Sequence, residues 1–238
     1  MKRDDFKIKI FADGADIAGM KEMYDAGYVS GFTTNPTLMK KDGVVDYVAF
    51  AKEVVREIPN LPLSFEVFSD DLDIMEKEAR KIGSWGSNVY IKVPITNTIG
   101  ESTLELVRKL SSEGLKLNVT AILTMRQIED TVKALSPGVG AYVSVFAGRI
   151  ADTGVDPMPI MKEAAGLCRN VDGVESLWAS TREVLNIFQA QECGVDIITV
   201  TNDILKKLPQ VGKDHAQLSL ETVKMFHRDA VSLGYKIV

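Results

Sequence analysis

Short apolar runs rich in β-branched and aromatic residues recur along the chain, and between them lie longer stretches whose apolar residues fall at helical spacing. Eight runs read as strands: Lys7–Ala12, Val29–Thr33, Leu63–Val67, Asn88–Val93, Leu115–Val119, Gly140–Val145, Val174–Trp178 and Val195–Thr199. They repeat roughly every 25 to 30 residues, the spacing of successive βα units. Asn88–Thr96, NVYIKVPIT, is the most informative of them. Val89, Tyr90, Ile91, Val93 and Ile95 make the near-continuous apolar run that a parallel strand covered on both faces requires, with Lys92 set in its middle.

Helix signals fill the intervals. Asp16 caps a stretch containing Ile17, Met20 and Tyr24, and Val44, Val48, Val54 and Val55 line the next helix. Ser102 with Glu105, and Thr124 with Gln127, fit capping boxes before apolar helical runs. The pattern predicts an α/β chain folded as a single-domain (β/α)8 TIM barrel over residues 1–238, with 215–234 as an extra C-terminal helix. An open doubly wound sheet is the alternative, without the G-x-G-x-x-G turn of a dinucleotide site to support it. In the tail, Leu218, Leu220, Val223, Met225, Phe226, Val231 and Leu233 need a surface to cover, on this barrel or on a neighbouring subunit.

Composition narrows the function. At 238 residues, 45% hydrophobic and 26% charged, the chain can bury one large core. A net charge of −5 and the lack of any Lys/Arg cluster argue against a nucleic acid or a membrane surface as partner. The MKRDDF start has no apolar signal core and no run is long enough to span a bilayer, so a cytoplasmic location is expected. Cys168 and Cys193 are too few for a disulfide framework, and His215 and His227 make no histidine cluster. Chemistry with no metal and no cofactor is expected.

Lys92 points into an interior. Burial favours the neutral amine, the nucleophile that condenses with a carbonyl to a Schiff base. A lysine snorkelling at a strand end, or paired with a carboxylate, is the simpler alternative. Other polar groups also gather at strand ends, where such barrels build their sites. Asp13 closes the first strand; Thr33, Thr34 and Asn35 the second; Glu66 lies near the end of the third; Asn118 and Thr120 are on the fifth. Ser144 and Arg149 follow the sixth, and Ser180 and Arg182 the seventh. Singly, Asp13 or Asn35 could start a turn, Ser180 with Glu183 could form a capping box, and the arginines could make surface ion pairs. Together they point to one pocket, in which the lysine forms an iminium with a ketose and the arginines and serine hold a phosphate. The expected partner is a small-molecule sugar phosphate.

FADGADI, GFTTNPTL, NVYIKVPIT, LNVTAILT, YVSVFAGRIAD and the ASTR turn, in this order, resemble the transaldolase family, and the chain length resembles its short branch, which includes the fructose-6-phosphate aldolases. The resemblance runs from about Phe11 to about Asp203. It implies that Lys92 is the Schiff-base lysine, that Asp13 shuttles the C4-hydroxyl proton, and that Glu66 and Thr120 hold a catalytic water. It implies further that Thr33, Asn35, Asn118, Ser144 and Phe146 face the substrate and that Arg149, Ser180 and Arg182 clamp its phosphate. The aldolases carry glutamine at Glu66 and tyrosine at Phe146, so the resemblance implies a transferase acting on fructose 6-phosphate or sedoheptulose 7-phosphate in the pentose phosphate pathway. An aldolase releasing free dihydroxyacetone is the alternative. Gly14 in place of threonine, Thr181 in place of phenylalanine, and TNTIGES depart from the family pattern, leaving open a donor with another anion, such as a sulfonate. Short members of the family form pentamer-based decamers, so a homo-oligomer, decamer or pentamer, is implied, with the tail reaching a neighbour.

Overall fold

The computed structural model describes residues 6–235 and 237; residues 1–5, 236 and 238, which the domain expectation includes, lie outside the described ones. The chain runs β1 (Lys9–Asp13), α1 (Ile17–Asp25), β2 (Gly31–Thr33), α2 (Pro36–Lys41), α3 (Tyr47–Glu57), β3 (Leu63–Glu66) and α4 (Leu72–Gly83). It continues through β4 (Val89–Pro94), α5 (Leu104–Ser112), β5 (Leu117–Ile122), α6 (Met125–Ala134), β6 (Ala141–Val145), α7 (Ala147–Asp152) and α8 (Met158–Cys168). The last elements are β7 (Val174–Trp178), α9 (Leu185–Glu192), β8 (Ile197–Thr201), α10 (Asn202–Leu205) and α11 (His215–Ser232). All eight strands are parallel, and β1 pairs with both β2 and β8, so the sheet closes into a (β/α)8 barrel. Closure rules out the open doubly wound sheet.

Alternation along each strand sorts the side chains into two cores. Ile10, Phe65, Ile91, Val93, Val119, Val143, Trp178 and Ile198 face outward and pack under the helices. Phe11, Tyr142, Leu177, Ala179 and Ile197, joined by Tyr90 and Phe146, form a second cluster that fills the barrel interior. Tyr90 stacks on Tyr142 with centroids 4.0 Å apart, and Phe11 meets Tyr142 edge-on at 5.6 Å. Gly31 makes room for that layer, since a Cβ there would lie 2.6 Å from the Phe11 ring. Below it Lys9 pairs with Glu175. The aromatic plug closes the barrel from beneath, so polar groups two residues further along the strands share one chamber at the C-terminal end.

Several boundaries differ from the sequence expectation. β1, β2, β5 and β8 each begin two residues later than expected, because residues such as Val29 and Val195 are buried before the ladder with the neighbouring strand starts. The stretch read as one helix at Val44–Val55 is α3 alone: Asp42 and Gly43 end α2, and Val44 precedes the Asp46 cap of α3. Thr124 and Gln127 form the expected capping box, and Asp16 caps α1. Ser102 and Glu105 do not. α5 starts one residue later, at the Thr103 cap, whose hydroxyl turns away to donate to the Pro94 carbonyl at 2.6 Å. The C-terminal helix spans His215–Ser232 and buries none of its residues, so it does not cover its own barrel. No helix among the described residues is long and apolar enough to cross a membrane.

Candidate active site

Lys92 stands on β4 with Glu66 on β3 and Asn118 on β5 as its register partners, which puts three polar side chains of adjacent strands on the same inner face. Lys92 is only 7% exposed. Its Nζ donates to the Thr34 carbonyl at 2.8 Å and lies 3.1 Å from Glu66 Oε2. The lysine is therefore both interior, as its strand position requires, and paired with a carboxylate. The Glu66 carboxylate so near the amine gives its proton a place to go when the nitrogen attacks a carbonyl, while the Thr34 carbonyl holds the amine in place. Tyr47 on α3 donates its phenol to the Glu66 carbonyl at 2.9 Å and fixes the end of β3.

Asp13 ends β1 beside the end of β2. Thr33 Oγ1 donates to its Oδ1 at 2.9 Å and Asn35 Nδ2 to its Oδ2 at 3.3 Å. Asn35 serves two structures at once, since its Oδ1 also caps α2 by accepting from the Leu38 N–H at 3.0 Å. The amide orientation that caps the helix is the one that turns its N–H₂ toward Asp13. Burial raises the Asp13 carboxyl above its ordinary range, opposed in part by the Lys92 charge and the Thr33 hydrogen bond. Gly14 does not disturb this arrangement: a side chain there would meet open space, and Asp13 is held from β2.

Asn118, fully buried, sits in a chain of hydrogen bonds across the barrel. Ser144 Oγ donates to its Oδ1 at 2.6 Å, and its Nδ2 donates to Ser64 Oγ at 3.1 Å. Thr120 is 3% exposed, and its hydroxyl has no protein partner among the described residues. The strand bulges between Val119 and Ile122, with Ala121 in the left-handed region at φ 61°, directly after Thr120. An unpaired hydroxyl at a strained strand position is a group kept for something other than packing.

The arginines lie at the rim, away from these networks. Arg149 is exposed on α7, its guanidinium 5.6 Å from the centroid of the Phe146 ring, and Phe146 packs against the interior cluster. Arg182 is also exposed and pairs with Asp152 at the end of α7, Nε to Oδ1 at 3.0 Å. The ion-pair alternative thus applies to Arg182. Ser180 and Glu183 form no capping box: Ser180 takes φ 67°, and the N–H groups of Arg182 and Glu183 donate to Asn186 Oδ1 instead. Thr181 is buried, its hydroxyl donating to the Thr199 carbonyl at 2.6 Å, so this departure ties the turn to β8. The TNTIGES loop is tied to its neighbour by Thr98, whose N–H donates to Asp70 Oδ1 at 2.7 Å.

The two rim arginines are locked into one unit by Gly148. A Cβ there would lie 1.6 Å from the Ser180 carbonyl oxygen, so α7 rests directly on the strained turn. Gly148→Ala is expected to destabilise the fold by roughly 1–3 kcal/mol, as overpacking against backbone does. A lower urea midpoint at unchanged m-value would show it; an unchanged midpoint would mean that turn and helix are free to separate.

Ser64, Tyr47 and the Thr34 carbonyl are site groups that the sequence reading misses. Ser64 had a signal, since it precedes Glu66 by two positions and therefore shares its face. A backbone carbonyl and a phenol that reaches from a helix to a strand end carry none.

The model of the family described as Transaldolase/Fructose-6-phosphate aldolase matches residues 10–237. A Thermoplasma volcanium protein described as a probable transaldolase is 37% identical over 84% of this chain and 87% of its own length. A Caldicellulosiruptor saccharolyticus protein with the same description is 38% identical over 84% of this chain and 89% of its own. A solved structure of mandelate oxidase with 3,3-difluoro-2-hydroxy-3-phenylpropionic acid superimposes with a TM-score of 0.55 over 91% of this chain and 68% of its own, at 20% identity, a likeness of fold alone. With the family match running from β1 to the C-terminal tail, the chain belongs to the transaldolase/fructose-6-phosphate aldolase family.

Proposed function

We propose that this protein is a transaldolase of the cytoplasmic pentose phosphate pathway, moving a dihydroxyacetone unit from fructose 6-phosphate or sedoheptulose 7-phosphate to an aldose phosphate through a Schiff base on Lys92. The observation that carries the reading is a lysine buried in the barrel beside Glu66, with a carboxyl of raised pKa, Asp13, at the same end. Relatives described as probable transaldolases support it.

In this reading Lys92 Nζ adds to the ketose C2 carbonyl, and loss of water from the carbinolamine gives the iminium. Asp13 takes the proton of the C4 hydroxyl, the C3–C4 bond breaks, the aldose leaves, and the electron pair passes into the iminium as an enamine. The enamine carbon then attacks the acceptor aldehyde, and Asp13 returns its proton to the new hydroxyl. Water, placed by Glu66 and the free Thr120 hydroxyl, hydrolyses the imine and restores the amine. Thr33, Asn35, Asn118 and Ser144 hold the dihydroxyacetone hydroxyls, and Arg149, Ser180 and Arg182 the phosphate. Phe146 offers no hydroxyl to help water release the three-carbon enamine, which favours transfer over release.

The test is formation of glyceraldehyde 3-phosphate from fructose 6-phosphate, with and without erythrose 4-phosphate. Product only with the acceptor supports transfer. Product without it makes the protein an aldolase and removes Glu66 and Phe146 as discriminating positions.

We also infer a homo-oligomer, pentamer or decamer. Leu220, Val223, Phe226 and Val231 on α11 are 47–66% exposed, an apolar stretch that one protomer leaves uncovered. A mass several times the 26.1 kDa chain is expected at micromolar concentration, and Phe226→Glu should shift it toward the monomer. A monomeric mass for the native protein contradicts the inference.

A further inference from the structure

Arg182 is held from a neighbouring element. Asp152, the last residue of α7, accepts from Arg182 Nε with Oδ1 and from Nη2 with Oδ2. The arginine stem lies along the same helix, its Cγ 3.4 Å from where a Gly148 Cβ would stand. Among the described residues the guanidinium makes no other hydrogen bond. Arg149, one turn earlier on α7, adds its charge at Asp152, so the carboxylate stands in the field of both arginines.

A paired carboxylate uses one edge of a guanidinium. Asp152 takes the Nε–H and one hydrogen of Nη2, leaving the Nη1 hydrogens and the second Nη2 hydrogen as another forked edge. An arginine already fixed in place loses less rotamer freedom when it closes on a ligand. Against this gain stands repulsion between the carboxylate and a bound anion, which Arg149 on the same helix counters.

We propose that Asp152 is a positioning residue for the anion clamp, holding Arg182 by one edge so that the opposite edge meets the terminal anion of the substrate. The proposal rests on the reading of Arg149, Ser180 and Arg182 as that clamp.

Inorganic phosphate is the first probe, because its binding can be followed calorimetrically without turnover. Asp152→Ala is expected to weaken phosphate binding roughly three- to tenfold, the scale of an exposed but bidentate pair, and Asp152→Glu to restore part of the loss. The second readout is a split between donors. The KM for fructose 6-phosphate should rise by the same factor at little change in kcat, while capture of uncharged dihydroxyacetone on Lys92 by borohydride stays at the wild-type yield. Unchanged or tighter phosphate binding by Asp152→Ala overturns the proposal, making Asp152 a mere counter-ion. Equal losses for charged and uncharged donors overturn it too, as does a wild-type protein that binds no phosphate. If phosphate binding follows the prediction but no ketose is captured on Lys92, the positioning role stands and the transaldolase reading fails.

Discussion

Lys92→Met is expected to lower turnover by a factor on the order of 10⁵, the scale on which enzymes lose rate when a covalent nucleophile is deleted. Among the described residues the neighbours of Nζ are Glu66 and the Thr34 carbonyl, with Asn118 paired in register on the next strand, and none of these can replace the amine as a nucleophile toward a ketose. The substitution keeps an unbranched apolar stem in the strand and removes the donor to Thr34 and the partner of Glu66. That loss costs roughly 1–3 kcal/mol, well within the stability of an ordinary domain. The variant should therefore fold, with a wild-type circular dichroism spectrum and a lower unfolding midpoint. Residual turnover above about one per cent would place the covalent chemistry elsewhere.

Asp13→Asn has the second-largest expected effect, and it should divide activity from stability. Loss of the group that takes the C4 proton is expected to lower kcat by about 10²–10⁴-fold, with Schiff-base formation on Lys92 retained. Stability should move the other way. Burial raises the folded-state pKa of Asp13 above its ordinary 3.8, so the folded protein binds this proton more tightly than the unfolded chain. Ionised Asp13 then costs stability at every pH above the raised value, and the cost disappears as pH falls through the window down to 3.8. Asparagine never carries that charge. The variant should melt higher than wild type at neutral pH, and the difference should shrink as the pH is lowered through the window. A variant that melts lower at neutral pH, or keeps kcat within a few-fold, would contradict the role given to Asp13.

How much of this could be read from the chain depended on the range of the interaction. β4 was legible because a continuous β-branched and aromatic run has few other uses, and the inward direction of Lys92 follows from its place between Ile91 and Val93, both fully buried behind the sheet. Clustering of Asp13, Asn35, Glu66 and Asn118 was legible because each lies on or just past a strand, toward the end where the parallel strands of a barrel share one mouth. The Thr124 capping box is local and forms as its motif predicts; the Ser102 motif does not form one, because Thr103 becomes the cap residue and bonds a carbonyl nine residues back in the chain, which no local motif encodes. The bulge at Ala121, the left-handed turn at Ser180 and the Asp152–Arg182 pair depend on the register of neighbouring strands and on helices that meet only after closure. Single-sequence patterns have no term for those. The tail's helical period was plain, yet α11 lacks a surface within the chain, which the pattern alone left undecided.

Borohydride reduction in the presence of fructose 6-phosphate, followed by mass analysis of the peptide containing Lys92, tests the central claim most directly. A stable three-carbon adduct on Lys92 is expected, absent from Lys92→Met and formed without any added metal or cofactor. An unmodified Lys92 in a protein that turns over the ketose, or an adduct that persists in Lys92→Met, would contradict it.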